Sequence, residues 1–233
     1  MLRDAGTYKN IVVLTGAGIS ASAGLPTYRG PGGLWSDRDL AALSHTSALQ
    51  TRRRRATDMF WSMRSALAGL VPTPAHRALA AFEAGLPPDA RFTIITQNVD
   101  GLHQAAGSRN VCEYHGSLAR WRCEECDAVI DPPPGDPPEH CGERMRPCAV
   151  LFGEMIPVDA ERTAKHALRD CDLFVAIGTS GTVEPAASFV SWAHYNNARS
   201  VLLNLEAFEG ARQQFREVRT GSADELVPAF FRE

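Results

Sequence analysis

The sequence predicts an α/β protein built on a Rossmann-like, doubly wound parallel sheet, with a smaller second unit inserted. Three observations support this fold class. Short apolar, β-branched runs recur along the chain, helical patterns lie between several of them, and a glycine turn follows the first run. Runs that are apolar on successive residues indicate strands covered on both faces, which is typical of parallel sheets.

The elements follow one another in the order that this architecture requires. The predicted strands are 11–15, 92–96, 111–114, 173–177 and 201–205. The predicted helices between them are 74–84, 159–169 and 185–195. Parallel strands need long crossover connections, usually helical, so the alternation predicts a doubly wound sheet.

Two segments interrupt the alternation and predict the second unit. Residues 40–70 have a helical pattern without a strand, clearest over 53–68, and residues 119–148 contain a Cys-x-x-Cys pair and the run DPPPGDPP. Proline is excluded from helix interiors and central strands. The predicted sheet domain therefore comprises 1–38, 73–118 and 149–233, and the smaller domain comprises 39–72 and 119–148.

Composition narrows the class of protein. The chain has 233 residues, 24 Lys plus Arg, 27 Asp plus Glu and a net charge of −3. These values are ordinary for a globular protein and give no basic excess, so we expect no nucleic-acid partner. The first ten residues lack an apolar signal region, and no stretch approaches the roughly 18 apolar residues of a membrane span. We expect a cytoplasmic protein without a membrane partner.

Glycines follow the first predicted strand, in the segment Gly16-Ala17-Gly18-Ile19-Ser20. Glycines at a strand end let the backbone approach a pyrophosphate, and free N–H groups at the next helix start favour the anion. The spacing is not the full G-x-G-x-x-G, so a tight turn without a ligand explains this segment equally well on its own.

Polar residues at the other strand ends favour a ligand. They are Gln97, Asn98 and Asp100 after the second strand, Gly178, Thr179 and Ser180 after the fourth, and Asn204 and Glu206 at the fifth. These ends line one crevice in an open parallel sheet, and a dinucleotide would satisfy the groups gathered there. Asn204 or Glu206 would bind the adenosine ribose, Thr179 and Ser180 the phosphates or ribose, and Asn98 and Asp100 the far end.

A histidine follows the third predicted strand and is a candidate general base. His115 lies beside Gly116, and its ordinary pKa is close to neutral. A histidine hydrogen-bonded in a turn is the plainer explanation, but only His115 and His103 fall at strand ends beside candidate cofactor groups.

Several segments resemble, in chain order, the motifs of the sirtuins, the NAD-dependent protein lysine deacylases. These are GAGISASAGLPTYRG (16–30), TQNVDGLHQAAGS (96–108), HGS (115–117), the Cys pair, RPCAVLFGEMIP (146–157), GTSGTVEPAA (178–187) and NLE (204–206). The resemblance spans nearly the whole chain. It implies a Rossmann-like domain and a small domain of helices and zinc ribbon, with NAD and an acyl-lysine peptide bound between them.

The resemblance assigns roles to individual positions. It implies NAD contacts by Gly16, Ala17, Gly18, Tyr28, Arg29, Gln97, Gly178, Thr179, Ser180, Asn204, Glu206 and Ala223. It implies that Ile19, Asn98 and Asp100 surround the nicotinamide and its ribose, and that His115 is the catalytic base with Asn98 beside it. The substrate peptide would lie as an added strand between 150–154, which includes Val150, Phe152 and Gly153, and 181–184, which includes Val183.

The reaction that the resemblance implies consumes NAD. The acyl oxygen attacks the ribose carbon, nicotinamide leaves, and His115 deprotonates a ribose hydroxyl. The products are free lysine and O-acyl-ADP-ribose. A cleft between two domains supplies the dry site that such chemistry needs.

The cysteines depart from the expected pattern of two Cys pairs. Cys123, Cys126 and Cys141 are the predicted zinc ligands, and Pro138 stands where a fourth cysteine would be. His140, Cys148 and Asp136 remain open as the fourth ligand, as does a ribbon without metal. A bound zinc would be structural, because closed sulfur-rich sites stabilise folds.

The residues expected to line the acyl pocket are the second departure from the sirtuin pattern. Sirtuins of the desuccinylase type carry a Tyr-x-x-Arg pair, and Trp61 and Arg64 align with it here. Residues i and i+3 share a helix face, so both are predicted to line the pocket. Arg64 favours succinyl or malonyl lysine, whereas loss of the tyrosine equally permits acetyl lysine. A surface ion pair is the other explanation for Arg64.

Three other functions share parts of this pattern. A nicotinamide dehydrogenase fits the sheet and the glycine turn, and a protein ADP-ribosyltransferase shares the activation of the ribose. A non-enzymatic NAD or zinc-binding module leaves His115 and Asn98 without a role.

Overall fold

A computed structural model describes residues 5–28 and 33–232 of the chain. In chain order the strands are β1 (Asn10–Thr15), β2 (Arg91–Thr96), β3 (Val111–Glu113), β4 (Gly116–Arg122), β5 (Val129–Ile130), β6 (Glu139–His140), β7 (Glu143–Arg144), β8 (Arg146–Ala149), β9 (Leu173–Ile177), β10 (Arg199–Asn204) and β11 (Glu217–Thr220).

The α-helices are α1 (Arg38–Leu43), α2 (Thr46–Thr51), α3 (Arg53–Ala66), α4 (Pro74–Gly85), α5 (Leu102–Ala105), α6 (Val158–Arg169), α7 (Phe189–Tyr195), α8 (Ala211–Gln214) and α9 (Ala223–Arg232). Short 3-10 helices cover Ala5–Thr7, Ala17–Ala23, Leu34–Ser36 and Ala186–Ser188. Among the described residues, no helix is both long enough and apolar enough to cross a membrane.

Six parallel strands form the main sheet in the order β11-β10-β9-β1-β2-β3. The order reverses between β1 and β9, and ligands of open α/β sheets bind at such a switch point. The predicted α/β class is confirmed. The edge strand β11 and the helix α9 that follows it were not predicted from the sequence.

Both faces of the main sheet are buried, as the continuous apolar runs predicted. Val12 and Leu14 of β1 belong to one hydrophobic cluster, and Ile11 and Val13 belong to another on the opposite face. The alternation follows the period of two in a strand, and helices cover each side.

A third hydrophobic cluster lies among helices α1–α3 and the antiparallel sheet β5-β4-β8. Phe60, Trp61 and Trp121 are among its buried residues. The hairpin β6–β7 lies in the same part of the chain. The domain boundaries given above stay a prediction, and this separate cluster is the observation that supports them.

Candidate active site

Two glycine turns meet where the order of the main sheet reverses. A Cβ added at Gly18 would lie 2.6 Å from Gly178 Cα, and one added at Gly178 would lie 2.6 Å from Ile19 N. Gly178 also has φ of +60°, which favours glycine. The glycines after β1 and β9 therefore allow two backbone turns to touch and form one floor.

A cavity of about 850 Å³ opens above this floor, and we call it the main cavity. Its volume lies within the range of small-molecule sites. Most of the predicted NAD and substrate residues line it: Gly16, Ala17, Gly18, Tyr28, Gln97, Asn98, His115, Val150, Phe152, Gly153, Gly178, Thr179, Ser180, Val183, Asn204, Glu206 and Ala223. Strand ends as distant in the chain as Thr15 and Asn204 thus converge.

Some predicted residues do not line the main cavity. Ile19 is buried in the core, and its carbonyl accepts a hydrogen bond from Thr73. Asp100 accepts hydrogen bonds from Ser20 Oγ at 2.7 Å and from Leu102 N, so it supports the wall from behind. Arg29 lies outside the described residues.

Asn98 presents an unsatisfied oxygen in this wall. Its side chain is 4% exposed, and its Nδ2 donates to Gly16 O and Ser20 Oγ, both at 3.2 Å. Its Oδ1 is buried and makes no hydrogen bond within the protein. Because an unpaired buried acceptor is costly, this atom fits a hydroxyl or amide donor of a ligand.

The polar groups at the adenosine end of the predicted site form a connected set. Gln97 Nε2 donates to Thr179 Oγ1 at 3.2 Å, and Asn204 Nδ2 donates to the carbonyls of Thr179 and Glu206 at 3.0 Å. Ser180 Oγ pairs with Thr182 Oγ1 at 2.9 Å. These bonds fix the side chains while leaving them on the cavity wall.

His115 lies on the link between β3 and β4. Its Nδ1 is 3.2 Å from Gln97 O, so Nδ1 carries a proton and Nε2 is left as a base. Burial lowers the pKa of His115, and the hydrogen bond to Gln97 opposes this effect. The imidazole is therefore neutral near pH 7, as a general base must be. The other candidate, His103, is buried against Thr15 and His76, away from the main cavity.

Aromatic rings form one side of the main cavity. Trp35 stacks on Tyr28 with ring centroids 5.1 Å apart, and it packs edge-on against Phe152 at 5.6 Å. Burial and the charge of Asp100 raise the pKa of Tyr28, so its hydroxyl stays protonated. Trp35 was given no role on the basis of the sequence.

The segment after β8 is held by a buried ion pair. Arg146 is 1% exposed, and its guanidinium forms two hydrogen bonds with the carboxylate of Glu154. Leu151 N also donates to Glu154 at 2.8 Å. This pair shapes the turn that carries Phe152 and Gly153 into the main cavity, and sequence reasoning gave it no role.

Trp61 and Arg64, the pair predicted to line the acyl pocket, are not among the residues that line the main cavity. Trp61 Nε1 donates to Gly135 O at 2.7 Å, and Arg64 donates to Asp131 Oδ1 at 3.2 Å and to Pro132 O. Both side chains face the proline-rich segment, and the guanidinium lies over the indole at 4.9 Å. Arg64 therefore forms an ion pair in this structure, with Asp131 of that segment as its partner.

The face of α3 that lines the main cavity carries Phe60 and Met63 instead. The two residues share the i, i+3 spacing of the predicted pair but are displaced by one position, about 100° around the helix. A one-residue shift of this kind is invisible in a short motif. The wall is therefore apolar at this point.

Three cysteines and one histidine form the predicted metal site. One ligand atom from each of Cys123, Cys126, His140 and Cys141 lies within 4.8 Å of the others. His140 Nδ1 is 3.3 Å from Cys126 Sγ and 3.2 Å from Cys141 Sγ. The turn between β6 and β7 brings His140 and Cys141 to the same cation position although they are adjacent in sequence.

This donor set fits zinc, which prefers four tetrahedral sulfur and nitrogen ligands. Hydrogen bonds from backbone N–H groups lower the pKa of Cys123 to about 7. The pKa of Cys141 is raised to about 11, mainly by its hydrogen bond to Cys126 and by the nearby thiols. A cation would relieve the repulsion among three thiolates. Cys148 and Asp136 are not part of the cluster found among the described residues.

Together, the reversal of the main sheet, the two glycine turns and the lined cavity define a nucleotide-binding α/β protein with a sulfur-rich structural metal site. A sequence profile of the Sir2 family matches residues 16–185. The chain belongs to the Sir2 family, the sirtuins.

Named relatives agree with this assignment. The chain is 41% identical to an NAD-dependent protein deacylase of Aquifex aeolicus, with 84% of each chain covered. It is 37% identical to NAD-dependent protein deacylase 1 of Pseudomonas aeruginosa, with 96% of this chain and 94% of the relative covered. A solved Sir2 homolog–NAD complex is 32% identical with a TM-score of 0.86, covering 97% of this chain and 90% of the other.

Proposed function

We propose that this chain removes acyl groups from lysine side chains of proteins and consumes NAD, releasing nicotinamide and O-acyl-ADP-ribose. The observation that carries the proposal is the meeting of His115 and Asn98 in one cavity with the two glycine turns. The names of the relatives and the NAD complex of a similar structure support the same activity.

We assign NAD to the main cavity because its wall holds groups that suit both ends of the molecule. Thr179, Ser180 and Asn204 would hold the phosphates and the adenosine ribose. Asn98, whose Oδ1 is buried and unpaired, would accept a hydrogen bond at the nicotinamide end. Bound NAD supplies a ribose carbon that becomes electrophilic as the bond to nicotinamide weakens.

His115 acts as the general base in this proposal. Its Nδ1–H is held by Gln97 O, so Nε2 can take a proton from a ribose hydroxyl. Phe152, Val150 and Trp35 line the same cavity and keep water from the reacting groups. The acyl-lysine peptide would lie between residues 150–154 and 181–184.

We further propose that one zinc ion bound by Cys123, Cys126, His140 and Cys141 stabilises the smaller domain, within the boundaries predicted above. Cysteines persist as free thiols in a reducing compartment, so a site with three thiol ligands supports a cytoplasmic location.

The decisive experiment mixes the purified protein with NAD and an acetyl-lysine peptide and measures products by mass spectrometry. We expect nicotinamide and O-acetyl-ADP-ribose in equal amounts. His115→Ala should abolish both, and His166→Ala, at an exposed position on α6, should leave both unchanged. Nicotinamide that stays attached to the dinucleotide would indicate a dehydrogenase, and labelled ADP-ribose retained on protein would indicate a transferase.

A further inference from the structure

Glu124 lies between two residues of the metal site, Cys123 and Cys126, and its carboxylate contacts two arginines. Its Oε2 accepts a hydrogen bond from Arg53 of α3, and its Oε1 accepts one from Arg146 of β8 at 3.4 Å. A residue within the metal site thus forms ion pairs with a helix on one side and with a strand on the other.

Arg146 continues this series of charges toward the main cavity. Its Nη1, which contacts Glu124, also donates to Glu154 Oε1. Its Nη2 donates to Glu154 Oε2 and to Ala149 O, both at 2.9 Å. Four residues of alternating charge form the series, which we call the ion-pair chain: Arg53, Glu124, Arg146 and Glu154.

The ion-pair chain ends in the turn 151–154, beside the proposed position of the substrate peptide. Glu154 accepts a hydrogen bond from Leu151 N at 2.8 Å and closes this turn. Phe152 within the turn donates its N–H to Ser44 O at 2.9 Å and accepts Thr46 N at 3.0 Å. All four residues of the turn line the main cavity. A displacement of Glu154 therefore changes the shape of the cavity wall.

The position of Glu124 depends on the turn between Cys123 and Cys126. Cys123 is buried in the third hydrophobic cluster, whereas Cys126 is exposed. Within this turn, Cys123 N donates to Ala128 O at 2.9 Å and Asp127 N donates to Cys123 O at 3.1 Å. Packing therefore fixes Cys123, and a metal that joins Cys123 to Cys126 would fix the residues between them, Glu124 included.

We propose that Glu124 is a positioning residue that couples the metal site to the turn 151–154, so that metal and acyl-lysine peptide strengthen each other's binding. The inference rests on the proposed deacylase function and adds a regulation of the same cavity. With Glu124 held in place, the guanidinium of Arg146 is held from both sides and keeps one orientation toward Glu154. Because coupling between two binding sites is reciprocal, a peptide that orders the turn raises the affinity for metal by the same factor.

The burial of the ion-pair chain favours coupling over a purely local role for Glu124. The exposed fraction of the side chain is 28% for Arg53 and 32% for Glu124. It falls to 2% for Arg146, whose two anionic partners are Glu124 and Glu154. Exposed ion pairs contribute little, whereas a buried charge depends strongly on its partners. Loss of the Glu124 charge should therefore be felt at Glu154.

The test measures zinc affinity by competition with a chromophoric chelator, with and without a saturating acetyl-lysine peptide. We expect the peptide to raise the zinc affinity of the wild type about fivefold or more, the lower end of typical coupling between sites. Glu124→Gln keeps the size of the side chain and removes its charge. In this variant the peptide effect should fall below about twofold, while zinc affinity without peptide stays within about threefold of the wild type.

Two comparisons show whether the effect belongs to the ion-pair chain. Glu125→Gln removes the neighbouring carboxylate at an exposed position of the same turn, and it should keep the wild-type peptide effect. Glu124→Gln combined with Glu154→Gln should reduce the peptide effect no further than Glu154→Gln alone, because both carboxylates act through Arg146.

Three results would overturn the inference. They are a wild-type zinc affinity that the peptide does not change, equal peptide effects in the wild type and Glu124→Gln, and loss of zinc from Glu124→Gln in the absence of peptide. The last result would make Glu124 a part of the stability of the metal site itself.

Failure of the proposed function is recognised separately, because these measurements do not require turnover. Fluorescence anisotropy without NAD should show that zinc-loaded Glu124→Gln binds the labelled peptide about fivefold more weakly than the zinc-loaded wild type, and equal affinities would reject the coupling. If no peptide releases nicotinamide but the peptide still raises zinc affinity, the deacylase proposal falls and the coupling stands. Normal turnover without any peptide effect on zinc affinity rejects the coupling alone.

Discussion

Replacing Glu154 by Gln removes the carboxylate that neutralises Arg146 in the turn after β8. Arg146 has almost no solvent access, whereas the Glu154 side chain is 21% exposed. The guanidinium would keep Ala149 O at 2.9 Å and a weaker contact with Glu124 at 3.4 Å. Glu124 would then be the nearest anionic partner of the guanidinium, and the turn that carries Phe152 would loosen.

The expected loss of stability is about 3 kcal/mol, because breaking a buried pair costs about 3–5 kcal/mol and Glu154 retains some solvent. For a chain of this size, that corresponds to a fall in Tm of about 6–12 °C. Guanidinium unfolding and calorimetry measure the two quantities. Turnover of acyl peptide should fall as well, because the turn lines the main cavity.

The pH dependence of stability provides a second check on this pair. Burial alone would raise the pKa of Glu154, but hydrogen bonds from Arg146 and Leu151 N outweigh it and lower the pKa below 4.5. A carboxyl whose pKa is lowered by folding contributes its full stability above its unfolded pKa. That contribution is lost as pH falls through the pKa of the folded state. The difference between wild type and Glu154→Gln should therefore shrink in acid.

Two controls distinguish the loss of the buried Arg146–Glu154 pair from the effect of removing any charged side chain. Asp159→Asn removes an exposed partner of Arg162 and should change Tm by less than about 2 °C. The double variant Arg146→Met with Glu154→Leu should lose at least about 1 kcal/mol less than the sum of its two single variants. A loss below about 1 kcal/mol for Glu154→Gln, or additive single effects, would refute the reasoning.

Three further predictions concern the base, the glycine beside it and the metal. Because burial lowers the pKa of His115 and the neutral form is the base, kcat/KM should fall in acid through a pKa below 6.5, and a profile that falls only above neutrality would contradict this. Gly116→Ala would place Cβ 1.9 Å from Cys148 O at a φ of +77°, so it should lower Tm strongly and abolish activity. The control Gly85→Ala meets no atom within 4 Å and should change neither Tm nor activity. Metal analysis should find one zinc per chain, lost in Cys126→Ser and retained in Cys148→Ser, and chelation should lower Tm; equal loss in both variants would reject the ligand set.

The main sheet could be predicted from the sequence because strands that are buried on both faces have apolar residues at successive positions. Runs such as 173–177 are apolar at every position, and all five residues of β9 are buried. β11 could not be predicted in this way, because Val218 is the only apolar residue of its four and none of the four is buried. Strands β5, β6 and β7 were missed because strands of two residues have no readable period.

Residues at strand ends could be grouped from topology, whereas loop residues such as Phe152 were expected only from the family resemblance, and Phe60 and Met63 on α3 were missed. Strand ends meet by topology alone, so Gln97, Thr179 and Asn204 could be grouped in advance. The inward face of α3 depends on its rotation about its axis, which is set by Trp61 packing on Trp121. That contact turns Arg64 away from the main cavity, and no local motif encodes it.

The position of His115 explains why changes at the Arg146–Glu154 turn and at the metal site should both affect proton transfer by this residue. Its ring is held by Gln97, which follows β2 of the main sheet, and its carbonyl accepts Val150 N at 2.8 Å, just after β8 of the antiparallel sheet. Gly116 lets the backbones of β4 and β8 approach closely beside it. The base is therefore fixed by both parts of the chain, so loosening the Arg146–Glu154 turn or removing the metal should displace His115 without touching it. Such variants should lower kcat while leaving the pKa in the pH profile close to that of the wild type, because burial and the Gln97 bond still set it.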